Sequence, residues 1–283
     1  MPSLKATPLP TLYDRAVDPT LLNVIMIVGI GLAAGVLGGL LGIGGSIVMI
    51  PLLAVVFHDS TGSKQQLFQA AAMAVNVVVS APAAIHHKKA GTVRFDVFKV
   101  MLPAVIITIV LGVLVSNNSS GLTLKRIFAV FLLYVSVINI IKIYRKITDQ
   151  YGVPDRATPL RTGSIGSLMG FVAGLLGIGG GVLAVPLMQT VARLPLKQCI
   201  GTSSAIMAIA SIVGATFKIS TLGSVEDGQF APHDALLIAA ILTPTAFIGG
   251  WFGATLTHKL PLEVVRGIFA MALLLAAWRM SGL

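Results

Sequence analysis

The chain has 283 residues, of which 55% are hydrophobic and only 11% charged, with a formal net charge of +10. A water-soluble domain carries about 25% charged residues, so this deficit excludes a surface that faces water all round. The excess of Lys and Arg does not point to nucleic acid, because these residues sit in short loops between apolar runs and form no basic stripe interleaved with aromatics.

Met1–Thr20 holds Lys5, Arg15 and four prolines but no apolar core, which is not the pattern of a cleavable signal peptide. Residues 1–20 are expected to be a flexible tail. Beyond them, no Asp, Glu, Lys or Arg occurs in Leu21–Phe57, Gln65–Ile85, Val100–Leu124, Thr162–Ala192, Gln198–Phe217 or Ala235–His258. Crossing a hydrocarbon core takes about 20 apolar residues in a helix. Run length and breakers predict helices over Leu21–Leu41, Ser46–Phe57, Leu67–His86, Val97–Val115 and Leu124–Tyr144. After a basic connector (residues 145–162) they continue over Gly163–Leu176, Gly181–Ala192, Gln198–Ile219, Ala235–Thr257 and Leu262–Arg279.

The two series read as copies of one unit. Gly39–Ser46 (Gly-Leu-Leu-Gly-Ile-Gly-Gly-Ser) recurs as Gly174–Gly181 (Gly-Leu-Leu-Gly-Ile-Gly-Gly-Gly), and Pro51 recurs as Pro186 at the same distance. Gly31 and Gly35 match Gly166 and Gly170, and Pro103, Gly112, Phe128 and Ala129 match Pro244, Gly253, Phe269 and Ala270. The expected fold is an all-α polytopic membrane protein of two homologous halves, residues 21–144 and 163–283. Each half opens with a glycine-broken helix or a re-entrant hairpin and continues with three transmembrane helices, giving eight spans, or ten segments if hairpins are counted. Broken single spans would make the halves parallel, and hairpins would make them inverted. The Lys and Arg balance is the same under both, with His86–Lys99 and the connector cytoplasmic in each. The inverted form is preferred, because the basic loop His86–Lys99 has as its counterpart Lys218–Asp234, which carries Glu226, Asp227 and Asp234.

Unwound backbone inside a bilayer is costly unless protein or a wet cavity satisfies it. Glycine lets a ligand approach that backbone closely, and the helix after each break offers free N–H groups at its positive dipole end. Two such starts near the midplane would bind an anion without a charged side chain. The candidate substrate residues are therefore Gly42, Gly44, Gly45, Ser46, Gly177, Gly179, Gly180 and Gly181. Thr202, Ser203, Ser204 and Asn76 are added as hydroxyl and amide donors on the following helices; their bland alternative is bonding within or between helices. Gly31, Gly35, Gly39 and Gly166, Gly170, Gly174 have the four-residue spacing of close-packing seams. His86 and His87 beside Lys88 and Lys89 read as a basic interface rather than a metal site. Cys199 is the only cysteine, so no intrachain disulfide forms. No cofactor is implied, and with no nucleophile–base pair or metal motif an enzyme is not expected.

The doubled glycine motif, each copy followed five residues on by a proline, resembles the sulfite exporter TauE/SafE family, as do Gly201–Ser204 (Gly-Thr-Ser-Ser) and Gly91–Phe95 (Gly-Thr-Val-Arg-Phe). The resemblance covers the chain from Leu21 onward. It implies passage of a small inorganic or organosulfur anion, such as sulfite or an organosulfonate, across the inner membrane of a bacterium or archaeon. The family's motif glycines fall on Gly42, Gly44, Gly45, Gly177, Gly179, Gly180 and Gly181. The first half departs at Ala70–Asn76, which lacks Gly-Thr-Ser-like polarity. The expected activity is secondary transport by alternating access; a passive anion channel and a non-transporting receptor or scaffold are the rivals. The partners expected are the anion and the lipid bilayer, and a homo-oligomer is compatible with the sequence.

Overall fold

The computed structural model describes residues 21–41, 44–59, 61–144, 154–225, 230–257 and 262–281. The N-terminal tail, Gly42 and most of the connector lie outside these. Among the described residues are ten α-helices: α1 (Leu21–Leu41), α2 (Ser46–Val56), α3 (Gln65–Lys89), α4 (Phe95–Asn117), α5 (Gly121–Tyr144), α6 (Pro159–Leu176), α7 (Gly181–Thr190), α8 (Leu196–Thr221), α9 (Pro232–Thr257) and α10 (Leu262–Ser281). Six of them, α1, α3, α4, α5, α8 and α9, are long and apolar enough to cross a membrane. Leu22, Ile107, Val130, Leu237 and Trp251 point outward from the bundle, as a lipid-facing surface requires.

Helix ends differ from the apolar runs because charges cap them. Asp96 and Asp234 sit in the first turns of α4 and α9, and His86–Lys89 fill the last turn of α3, each favourable to the helix dipole. The loop expected over His86–Lys99 therefore shrinks to Ala90–Arg94. Likewise α6 starts at Pro159 rather than Gly163. Thr158 is extended and Pro159 takes the first turn, where its fixed φ suits a helix start and its missing N–H costs nothing. The connector is shortened accordingly.

Seams of small residues set the packing. Gly31 and Gly35 lie against Leu242, Thr245 and Ala246 of α9, and Gly249 lies against Leu32 and Val36, so α1 runs parallel to α9. Gly166, Gly170 and Gly174 lie against Met101, Val105 and Ile109 of α4, so α6 runs parallel to α4. Backbones come this close only where no Cβ intervenes. Between these pairs, α3 and α8 run antiparallel: Met73 meets Gly214, and Lys218 reaches Gln66.

Both glycine breaks turn the chain back on itself. Gly45 lies against Ala34, and Gly180 against Met169 and Ala173, well before the end of the preceding helix in each case. Arg156 N–H donates to Ala192 O at 2.8 Å, so the chain entering α6 and the chain leaving α7 lie at one end of the bundle, here the connector end. At the other end, Lys125 Nζ donates to Asp59 O just beyond α2 at 2.7 Å. Gly62 there abuts Gly121, where α5 begins after α4 has finished beside Lys218. Because α1 parallels α9, which starts just after α8 ends, α1 also begins at this end.

Candidate substrate site

The two breaks, 135 residues apart in sequence, meet beside α3 and α8. Ser46, the first residue of α2, accepts on Oγ a hydrogen bond from Asn76 Nδ2 at 2.8 Å and a longer one from Gly179 N–H at 3.3 Å. One hydroxyl thus joins the first break, the second break and α3. Gly44 and Gly179 press on the same two side chains. A Cβ at Gly44 would stand 3.3 Å from Asn76 Oδ1 and 3.4 Å from Met207 Sδ; one at Gly179 would stand 3.1 Å from Asn76 Nδ2 and 2.9 Å from Met207 Cγ. Gly44 has φ +80°, and Gly177 and Gly180 have φ +72° and +73°, values that a side chain would strain. Glycine is therefore needed here both for the turn and for the approach.

The junction is buried and rich in hydrogen-bond donors. Val48 and Leu183 N–H already donate to the N-cap carbonyls of Gly45 and Gly180 at 3.0 and 3.1 Å, so the N–H groups of the first two residues of α2 and α7 are those that the helix itself leaves without a partner. Ser46 and Asn76 are each 1% exposed, and Asn76 Oδ1 is buried without a hydrogen-bond partner among the described residues. Leaving a buried polar atom unsatisfied costs about 1–3 kcal/mol, so Asn76 Oδ1 is an acceptor that a donor placed here would satisfy. An amide can turn over, after which Oδ1 accepts the Ser46 hydroxyl and Nδ2 points where Oδ1 stood. Ser203 Oγ is a second buried orphan, one helical turn from Met207 on the same face of α8.

The remaining candidates separate. Gly45 is the N-cap of α2, and Gly180 and Gly181 form the start of α7. Gly177 ends α6 and packs on Gln69. Ser204 is buried one turn from Met207. Thr202 points elsewhere: its Oγ1 accepts Arg94 N–H at 3.0 Å, at the connector end, while Gly201 packs on Thr92. The Gly91–Phe95 loop and the Gly201–Ser204 run thus touch. Arg94 closes this end, with Nη1 on Asp155 Oδ2 (2.9 Å) and on Gln198 Oε1 (3.3 Å), and Nε on Asp96 Oδ1 (2.9 Å). Its hydrogen bond to Asp96 raises the guanidinium above its ordinary value against partial desolvation, and the bond to Asp155 adds to this, so it stays charged.

Sequence reasoning missed the polar end of the α3–α8 seam. Gln69 Nε2 donates to Leu175 O (3.3 Å), meeting a carbonyl that the end of α6 leaves open, and Ser116 Oγ donates to Gln69 Oε1 (2.9 Å). Gln66, Ser116 and Asn117 surround Lys218. The signal was available: Gln66, Gln69, Asn76 and Ser80 follow one helical stripe, at steps of three, seven and four.

A family model for the sulfite exporter TauE/SafE matches residues 27–280. The chain belongs to the sulfite exporter TauE/SafE family. It is similar to the probable membrane transporter protein MamO of Magnetospirillum gryphiswaldense (28% identity over 90% of this chain and 44% of MamO). It is also similar to a probable membrane transporter protein of Haemophilus influenzae (28%, 89% of this chain and 95% of the relative) and to YunE of Bacillus subtilis (27%, 90% and 96%). The chain thus spans less than half the length of MamO, and nearly all of the other two. No solved structure matches it. Family membership and the apolar helices make this TauE/SafE chain a multi-pass membrane protein of a transporter family.

Proposed function

We propose that this TauE/SafE protein is a secondary carrier of the inner membrane that passes sulfite, or a related sulfur oxyanion or organosulfonate, by alternating access around the junction of its two glycine breaks. The observation that carries the reading is Ser46 Oγ, which accepts from Asn76 Nδ2 and from Gly179 N–H. When an oxyanion enters, its oxygens take those donors, and the freed Ser46 hydroxyl turns to donate as well. Gly44, Gly45, Gly179, Gly180 and Gly181 supply backbone at the turn, and Ser203 and Ser204 approach from α8. Gly177 belongs to the second turn, and Gly42 is included from its place in the repeated motif. Thr202 acts at the connector-end closure instead.

The halves act as inverted repeats. What supports this is the pairing of α1 with α9 and of α6 with α4, together with hairpins that open toward opposite ends. Rocking one hairpin with its partner helices against the other would expose the junction to each side in turn. Met207 filling the space between the breaks favours a carrier over an open channel. The test is flux of labelled sulfite, thiosulfate and small sulfonates into proteoliposomes. Saturable flux that G45L and G180L both abolish is expected; no saturable flux of any of these anions would overturn the proposal.

A further inference from the structure

Lys218 is completely buried, three residues from the end of α8. A lysine so near a helix end can send its ammonium out to the polar interface along its flexible stem. Lys218 turns inward instead, donating to Gln66 Oε1, to Ser116 Oγ at 2.9 Å and to Asn117 Oδ1 at 2.8 Å. Ionisable groups inside a membrane bundle are costly and cluster on substrate and ion pathways. This one lies on the seam that holds the glycine junction, 11 residues along α8 from Met207, or about 16 Å at the helical rise. A hydrogen-bonded chain joins the two places: Lys218 Nζ to Ser116 Oγ, Ser116 Oγ to Gln69 Oε1, and Gln69 Nε2 to Leu175 O, two residues before Gly177.

We propose that Gln66, Ser116, Asn117 and Lys218 form a second binding station for a small oxyanion, between the glycine junction and the end of the bundle where α8 finishes. The station deepens the carrier reading and rests on it. The chemistry of these ligands suits a replaceable occupant. Amides and hydroxyls accept hydrogen bonds in one orientation and donate in the other. To admit an anion, Gln66 Nε2 must leave Ser116 O (2.7 Å) and Ser119 O (3.3 Å), and Asn117 Nδ2 must leave Thr221 Oγ1 (2.8 Å); the amide N–H and hydroxyl groups then join Nζ around it. The ammonium attracts the anion without moving, and Ser116 and Gln69 carry the rearrangement to the end of α6.

The test uses the full chain. Crystals of the wild type grown with selenite, the heavier homologue of sulfite, should show selenium anomalous density within about 4 Å of Lys218 Nζ, the reach of an ion pair, as well as at the breaks. In proteoliposomes, K218M should raise KM for labelled sulfite about tenfold or more, the loss expected for a charge-assisted contact, and K218R should recover most of it. Selenium at the breaks alone, or monodisperse K218M with an unaltered KM, would overturn the station and leave the carrier reading standing. Selenium at Lys218 and none at the breaks would keep the station and overturn the junction as the transport site. Should K218M fail to fold, the wild-type diffraction decides.

Discussion

Asn76→Asp is the sharpest test of the glycine junction. The substitution keeps shape and replaces an amide by a carboxylate. Residue 76 reaches to 3.3 Å from a Cβ position at Gly44 and 3.1 Å from one at Gly179, so an anion at this backbone would lie about 4 Å from the new charge. Two like charges at that separation repel by about 4 kcal/mol at an effective dielectric of 20. Salt screens a buried pair little. At about 1.4 kcal/mol per tenfold, sulfite affinity should fall by roughly three orders of magnitude. The assay is initial flux of labelled sulfite into proteoliposomes across a concentration series, with monodispersity in detergent as the folding check. S164D, which adds the same charge at an exposed position near the start of α6, should stay within about twofold, since an exposed charge several helical turns away is screened. A well-folded N76D protein that transports with wild-type KM would refute the reasoning.

Other substitutions probe separate links. A Cβ at Gly174 would overlap Ile109 O and lie 2.9 Å from Val113 N, both backbone atoms of α4, whereas one at Gly29 meets nothing within 4 Å. G174A should therefore lower thermal stability by about 1–3 kcal/mol, while G29A should be neutral or raise it by up to about 1 kcal/mol, both read from melting in detergent. M207A should widen the space between the breaks and raise the ratio of two-carbon sulfonate flux to sulfite flux. An unaltered ratio would mean that Met207 does not shape the passage. T202V removes the acceptor of Arg94 N–H; stability should drop by about 1–3 kcal/mol with KM for sulfite unaltered, because Thr202 serves the connector-end closure rather than the junction.

Most of the fold was legible because two strong signals agree. Charge-free runs located the helices, and the paired glycine–proline motifs located the breaks. Sequence alone left open whether each break is a kink or a hairpin. That depends on where Arg156 meets Ala192 and Asp59 meets Lys125, and contacts across such separations leave no local pattern. Helix ends were drawn short for a different reason. Lys89 and Asp96 are charged, yet they lie in helices, because a basic last turn and an acidic first turn suit the helix dipole.

The site was harder to read, since its polar residues are meaningful only by helical phase. Thr202, Ser203 and Ser204 look like one cluster in sequence, but consecutive helical residues point about 100° apart, so Thr202 faces the Arg94 loop while Ser203 faces inward. Lys218 was hidden by its position just past the last residue of an apolar run, where a charge is ordinarily read as the end of a span. Phase gives it meaning: 203, 207, 214 and 218 share one side of α8, opposite 80, 76, 69 and 66 of α3. That seam holds orphaned Ser203 and Asn76 Oδ1 near one end and a buried ammonium at the other, with Met73 against Gly214 between them. A core selected for stability alone would replace such a line with aliphatic side chains, since buried ions are often replaced by well-packed apolar residues without loss. Its persistence from one end of the bundle toward the other is what a path for a charged solute requires, and the side chains that close it, Met73 and Met207, are flexible thioethers that can move aside at modest cost.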